Sequence, residues 1–204
     1  MKYVFKISAL MGSLIMLGAF LLVVRYEPIS ESNLSEAPKI QGMRPIGEIT
    51  QGFRAEQSIK TSSVINRHQS NATDTVCLKL LLANWSNRNN TGEFAVDLLI
   101  ADEIFTHVVK ASTVADNVHR KICYDNLRIS DLFAADDISL VLRGISSPPG
   151  AAITAWTTND MNAGQLINMP ESLESRSLIF QFVSEQVSEG SYQHAWILVV
   201  FSML

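Results

Sequence analysis

Residues 76–85, VCLKLLLANW, and residues 93–102, EFAVDLLIAD, alternate in hydrophobicity with a period of two. Only a β-strand sends successive side chains to opposite faces, so the pattern confines both runs to sheets with one buried face. The first run points Val76, Leu78, Leu80 and Leu82 one way and Cys77, Lys79, Leu81 and Ala83 the other. The second points Phe94, Val96, Leu98 and Ile100 inward and Glu93, Ala95 and Asp97 outward. The Asn- and Gly-rich stretch between them predicts a hairpin with a long loop. Further strands are predicted in GEITQGF (47–53), FTHVVKA (105–111), HRKICYD (119–125), DISLVLRGI (137–145), AITAWTT (152–158) and SLIFQFV (177–183). Short one-sided strands separated by turn clusters, with no amphipathic helix beside them, predict an all-β fold. That fold is an antiparallel β-sandwich (jelly roll) whose two sheets pack face to face.

The amino-terminal segment obeys a different physics. Residues 7–24, ISALMGSLIMLGAFLLVV, carry no charge. With their flanks they approach the roughly 20 residues a helix needs to cross a bilayer. Lys2 and Lys6 precede the run, whereas Glu27, Glu31 and Glu36 follow Arg25. The positive-inside bias then leaves the amino terminus in the cytoplasm and the rest outside. A cleaved signal peptide is the rival reading. It requires small residues close behind the apolar run, and the small-x-small site Ser35, Glu36, Ala37 lies too far downstream. The expectation is therefore a signal-anchor helix at 1–26 and a Pro/Ser/Glu linker at 27–45. The extracytoplasmic β-sandwich occupies 46–184, and a polar break with a short apolar segment fills 185–204. The terminal AWILVVFSML (195–204) is either a last buried strand or the start of a second membrane helix, and it is expected to lie outside the sandwich.

Charge excludes one class of partner. Three of the 16 Lys and Arg lie before residue 26, which leaves 13 beside all 20 Asp and Glu. An acidic domain is poorly suited to nucleic acid, whose phosphates demand cations. Two cysteines exist, Cys77 and Cys123. In an oxidising compartment they form a disulfide, or they remain two separate half-buried thiols. No CxxC, HExxH or G-x-S-x-G motif is present, and the four histidines share no metal-ligand spacing. Asp131, Asp136 and Asp137 read as an acidic turn in preference to a calcium loop. No cofactor and no catalytic residue is assigned.

The positive signal is two polar-aromatic turns. NWSNRNN offers Trp85, Asn87, Arg88, Asn89 and Asn90, and AWTTND offers Trp156, Thr157, Thr158, Asn159 and Asp160. An aromatic face with a few placed amides and carboxylates is the composition of a sugar site. The candidate ligand-binding residues are Trp85, Arg88, Asn90, Trp156, Thr158, Asn159 and Asp160. The competing explanation for each tryptophan is packing.

The order ITQGF, LLANWSNRNNTGEFAVDLL, ISLVLRGI, AITAWTTNDMNAGQLINM and LIFQFV, over residues 46–184, also resembles a family. It is similar to the extracytoplasmic jelly-roll module beside the first membrane helix of bacterial surface-polysaccharide and glycosyltransferase-type proteins. Two positions depart from that pattern: Met169 stands where glycine is expected, and 57–75 is long for a link. The resemblance implies a carbohydrate-binding-like jelly roll without catalytic residues. The expected function is a single-pass cell-membrane protein whose sandwich binds or positions a glycan in cell-envelope polysaccharide metabolism. The alternative is a non-enzymatic interaction module that contacts a protein of an envelope assembly.

Overall fold

The computed structural model describes residues 29–65, 74–86 and 88–187. Glu31–Glu185 form one compact unit. The second unit, Met1–Ser30 with Gln186–Leu204, lies almost wholly outside the described residues, as do the predicted membrane helix and the terminal apolar segment. No helix among the described residues is long and apolar enough to cross a membrane.

Among the described residues, twelve strands build two antiparallel sheets. They are β1 (Ile29–Asn33), β2 (Arg44–Pro45), β3 (Arg54–Lys60), β4 (Thr75–Ala83), β5 (Glu93–Ile100) and β6 (Glu103–Lys110). The others are β7 (Val118–Arg128), β8 (Asp137–Gly144), β9 (Thr154–Thr158), β10 (Gln165–Ile167), β11 (Ser177–Leu178) and β12 (Phe180–Val187). One sheet runs β1-β12-β4-β9-β11, with β7 also on β4 and β2 also on β9; the other runs β10-β3-β8-β5-β6. From β6 onward the chain crosses between sheets at β7, β8, β9, β10 and β11 in turn.

The inward residues of both sheets share one core. Val76, Leu78, Leu80 and Leu82 from β4 cluster with Phe94, Val96, Leu98 and Ile100 from β5 and with Ile138, Leu140 and Leu142 from β8. The predicted faces of these strands therefore hold. Leu80 is fully buried, while the Lys79 side chain stays partly exposed on the opposite face. Truncating Leu80 to Ala should lower unfolding stability by about 2–5 kcal/mol. Lys79→Ala should cost well under half as much, because it loses only a surface ion pair. Equal losses in urea unfolding would contradict the assignment of faces.

Their pairing differs from expectation. β4 and β5 are not a hairpin, because they lie in opposite sheets and meet through the core. Two one-sided apolar strands can satisfy their faces as neighbours or across a sandwich, and periodicity does not separate the two. The local hairpin is β5–β6, closed by Ala101 and Asp102, with Ile100 opposite Glu103. Ala101 takes φ 52° there, the left-handed geometry that such a tight turn demands.

Three other expectations are corrected. Residues 47–53 form a turn, and the strand begins at Arg54. β3 escaped the pattern because its central inward residue is Gln57, not an apolar one. Gln57 is fully buried and wholly partnered: Nε2 donates to Ala163 O (2.7 Å) and Ser177 Oγ (2.9 Å), and Oε1 accepts from Leu178 N (2.7 Å). The expected linker is part of the sandwich from Glu31 onward. β1 pairs with β12, β2 pairs with β9, and Leu34 is fully buried. The long 57–75 link contains the end of β3 and the short helix Thr61–Val64, while 66–73 lie outside the described residues. At the position where glycine was expected, Asn168 adopts the positive φ instead (57°), which frees Met169 to pack in the core.

Candidate functional site

The turn after β4 is built on unusual backbone. Trp85 and Ser86 both sit at positive φ, 57° and 66°. A bulky side chain in the left-handed region costs on the order of 1–3 kcal/mol and persists only where its surroundings hold it. Here the holding groups are visible. Asn84 N donates to Asp116 Oδ1 (2.9 Å), and Asn84 Nδ2 donates to Val114 O (3.1 Å). Asn84 O accepts from Arg88 N (3.2 Å) and from Asn90 Nδ2 (3.3 Å). The Arg88 guanidinium lies 5.6 Å from the Trp85 ring centroid, a cation–π distance. It also donates to Glu48 Oε1 and Gly150 O, both at 2.7 Å. The Glu48 carboxylate in turn accepts Gly150 N (2.8 Å).

One end of the sandwich therefore gathers residues 47–52, 84–86, 88–92 and 146–151. Gly92 (φ 83°) allows the last two to touch: a Cβ there would fall 2.6 Å from Ser147 backbone. Five buried side-chain polar atoms among the described residues have no hydrogen-bond partner, and three belong to these turns. They are Trp85 Nε1, Asn90 Oδ1 and Ser147 Oγ. Such atoms cost roughly 1–3 kcal/mol each when left unpaired.

Trp156 lies nearby but on a different surface. Its strand neighbours Ile153 and Ala155 enter the core, whereas Trp156 points out from the seven-stranded sheet and is only half-buried. Its indole N–H donates to Asn117 Oδ1 (2.8 Å). Asn117 Nδ2 donates to Asp116 Oδ2 (3.0 Å), and the other oxygen of Asp116 holds Asn84. A continuous polar chain thus runs from Trp156 to the Asn84–Asn90 turn.

Thr158, Asn159 and Asp160 serve another purpose. Thr158 Oγ1 donates to Lys39 O (2.7 Å), and Asp160 Oδ2 accepts Lys39 N (2.8 Å). Asn159 Oδ1 accepts from Arg176, a buried guanidinium that also donates to Thr157 and Gly42. Burial and the nearby Arg44 push Arg176 below its ordinary pKa. This cluster clamps residues 39–42 onto β9, and the hydrogen-bonding atoms proposed for a ligand are already engaged. Trp85, Arg88 and Asn90 meet at one end of the sandwich. Trp156 joins them through Asn117, and Thr158, Asn159 and Asp160 stand apart. Sequence reasoning missed Glu48, Asp116, Asn117 and Ser147. The only signals for them were the Asp-Asn turn before β7 and the Ser-Ser-Pro-Pro-Gly breaker.

Cys77 and Cys123 face each other directly across β4 and β7 and form a disulfide, with Cα atoms 4.0 Å apart. The spacing is that of a non-hydrogen-bonded pair, whose carbonyls point away from the partner strand. Accordingly, Cys123 O accepts from His107 Nδ1 (3.1 Å), and this contact places the imidazole proton on Nδ1 because a carbonyl only accepts. Beside the disulfide, Glu31 bridges Lys79 and Lys121, and Lys121 also pairs with Glu185. Asp131 Oδ2 accepts Arg128 N (2.9 Å) and so caps the short helix Ile129–Ala134.

Two groups on this outer face give the fold an acid sensitivity. The hydrogen bond from Lys79, with further help from Lys121, holds the Glu31 carboxyl below its ordinary value. Burial first, and the Lys79 charge second, depress the His119 pKa. In both cases the unfolded chain binds the proton at higher pH than the folded chain: the Glu31 ion pairs lose their stabilisation on acidification, and protonating His119 adds a penalty in the folded state. Stability should decline as pH falls below about 6.5, where an unfolded histidine protonates, and again below about 4.3, where an unfolded glutamate does. His119→Gln should remove the upper step in urea midpoints recorded across pH. An unaltered upper step would assign it to another group.

Comparison with models of known protein families gives no match, and none of the curated proteins is significantly similar to this chain.

Proposed function

We propose that this chain is a membrane-anchored, extracytoplasmic β-sandwich of jelly-roll type. In this reading it binds or positions a glycan in cell-envelope polysaccharide metabolism, without catalysis of its own. The observation that carries the reading is Trp156: a large aromatic ring kept out of the core, half-buried, and oriented by Asn117. A sugar needs an apolar platform of this kind with polar groups at its edge. Asp116 and Asn117 supply that edge, and the Trp85 turn lies at the far end of the same hydrogen-bond chain. The uncharged run 7–24 supplies the anchor.

The test is a glycan-array screen of the full-length protein in detergent, followed by titration of the best ligand. Trp156→Ala should weaken binding at least tenfold while leaving the melting temperature close to that of the wild type. Asp160→Ala should loosen the 39–42 clamp without a specific effect on binding. Failure of the wild-type protein to bind any glycan would sink the reading.

A second reading, a module that contacts another envelope protein, is favoured by the edge strand β6. Ile104 and Val108 are 65% and 49% exposed on its outer face. A partner surface of this kind should be abolished by Ile104→Lys, a change to which glycan binding is indifferent.

A further inference from the structure

We infer that the β6 edge is a self-association surface, on which a second copy of this chain pairs antiparallel with Thr106 facing Thr106. The inference is independent of the glycan reading, and it names an occupant for the edge on which the second reading rests. β6 is the last strand of its sheet and pairs with β5 over eight residues without a bulge or a proline. An unblunted edge of this length is a template for another strand, and natural proteins normally shorten, bend or cover it. The opposite edge of the same sheet, β10, is three residues long. The outward series Asp102, Ile104, Thr106, Val108 and Lys110 is exposed at every position.

Backbone geometry selects the groups that are free. Ile100 and Glu103 close the hairpin turn, and Ala111 N donates to Gly92 O (2.9 Å) at the other end of the ladder. Odd-numbered residues of β6 therefore direct their N–H and C=O groups to β5, and those of Ile104, Thr106 and Val108 project from the edge. None of these three makes a further backbone hydrogen bond among the described residues. The free ladder stops at Val108, because Lys110 O accepts from Thr113 Oγ1 (2.8 Å). Two copies joined edge to edge in antiparallel fashion share a two-fold axis perpendicular to the sheet, so outward residues meet outward residues. An axis through Thr106 sets Ile104 of each copy opposite Val108 of the other, and Asp102 opposite Lys110. Apolar pairs and opposite charges are the cross-strand combinations that stabilise a sheet. Moving the axis by one residue sets Ile104 against Thr106 or against Lys110, and both matches are lost. Neither Asp102 nor Lys110 has an ion pair among the described residues of its own copy.

One strand pair is a small interface, so association is reversible and concentration-dependent. Full-length protein in detergent should sediment as a dimer at high concentration and as a monomer on dilution. Thr106→Lys sets two ammonium groups against each other on the axis. It should raise the dissociation constant about tenfold or more while leaving the melting temperature unchanged. Disulfide trapping reads the register, because both native cysteines are bridged and an introduced cysteine is the only thiol. Thr106→Cys should oxidise to a covalent dimer, since its Cα atoms lie about 5.5 Å apart across the axis. An equimolar mixture of Ile104→Cys and Val108→Cys should cross-link about tenfold faster than either variant alone, because each residue lies roughly 14 Å from its own counterpart. Wild-type protein that stays monomeric at every concentration would refute the dimer, leaving the edge to an unlike protein and the glycan reading standing. A dimer indifferent to Thr106→Lys and not trapped by Thr106→Cys would move the association to another surface and so overturn the inference. Ile104→Cys cross-linking alone as fast as the mixture would overturn the assigned register.

Discussion

Phe182→Ala should destabilise the sandwich by about 3–5 kcal/mol, the loss usual for a fully buried aromatic ring. Phe182 is inaccessible to solvent and stands edge-on to Phe180, with ring centroids 5.5 Å apart. It is opposite Leu78 on β4, and its backbone accepts Leu34 N and Ser35 N, so the ring sits where three strands converge. Truncation removes the ring's burial, the edge-to-face pair, and the contacts of a cavity that rigid strands cannot close. At roughly 2–4 °C per kcal/mol for a domain of this size, the melting temperature should fall by about 6–20 °C. Phe182→Leu should retain more than half of the lost stability. A loss below about 1 kcal/mol for the alanine variant would mean that the ring is not packed between the sheets.

Opening the Cys77–Cys123 bridge should cost about 4 kcal/mol by the chain-entropy relation, given the 46-residue separation it spans. The decisive measurement is additivity. Either Cys→Ala change alone opens the bridge, so Cys77→Ala, Cys123→Ala and the double variant should be destabilised by similar amounts. A double variant whose loss equals the sum of the two singles would show that the thiols act independently. Cys77 is fully buried and packs on the outer face of β4 beside the Glu31, Lys79, Lys121 and Glu185 network. Part of the single-variant effects is therefore a small packing loss, and the double variant separates it from the bridge.

Much of the sandwich was legible because a strand's side-chain period is a local property. The faces of β4, β5 and β8 follow from alternation alone, since one register buries Leu80, Val96 and Leu140 and the other buries Lys79 and Arg143. One illegible strand has a polar residue at its inward centre. β3 turns Gln57 inward, and a buried amide is admissible only because Ala163, Ser177 and Leu178, more than 100 residues away, complete its hydrogen bonds. Likewise β1 and β2 lie in a Pro- and Ser-rich stretch that reads as linker. Their strand identity comes from the neighbours β12 and β9, not from their own composition. The candidate site divided in the same way. The aromatic and amide residues of the two turns were visible, but whether Asp160 meets a ligand or a backbone N–H depends on where residue 39 passes.

The amino-acid sequence by itself determined that this chain makes strands, which faces of the main strands are apolar, and that 7–24 and 195–204 are uncharged runs at its two ends. It also placed the Asn-rich turn after β4 outside the strands, because Asn and Gly set backbone preferences within a few residues. Only the tertiary structure decided that β4 and β5 oppose each other across the core, that Cys77 meets Cys123, and that Trp156 faces outward while Thr158 to Asp160 clamp another segment. The physical reason is that alternation specifies a face without specifying a partner. Pairing, register between distant strands and satisfaction of buried polar atoms are set by which segments of the chain exclude water together.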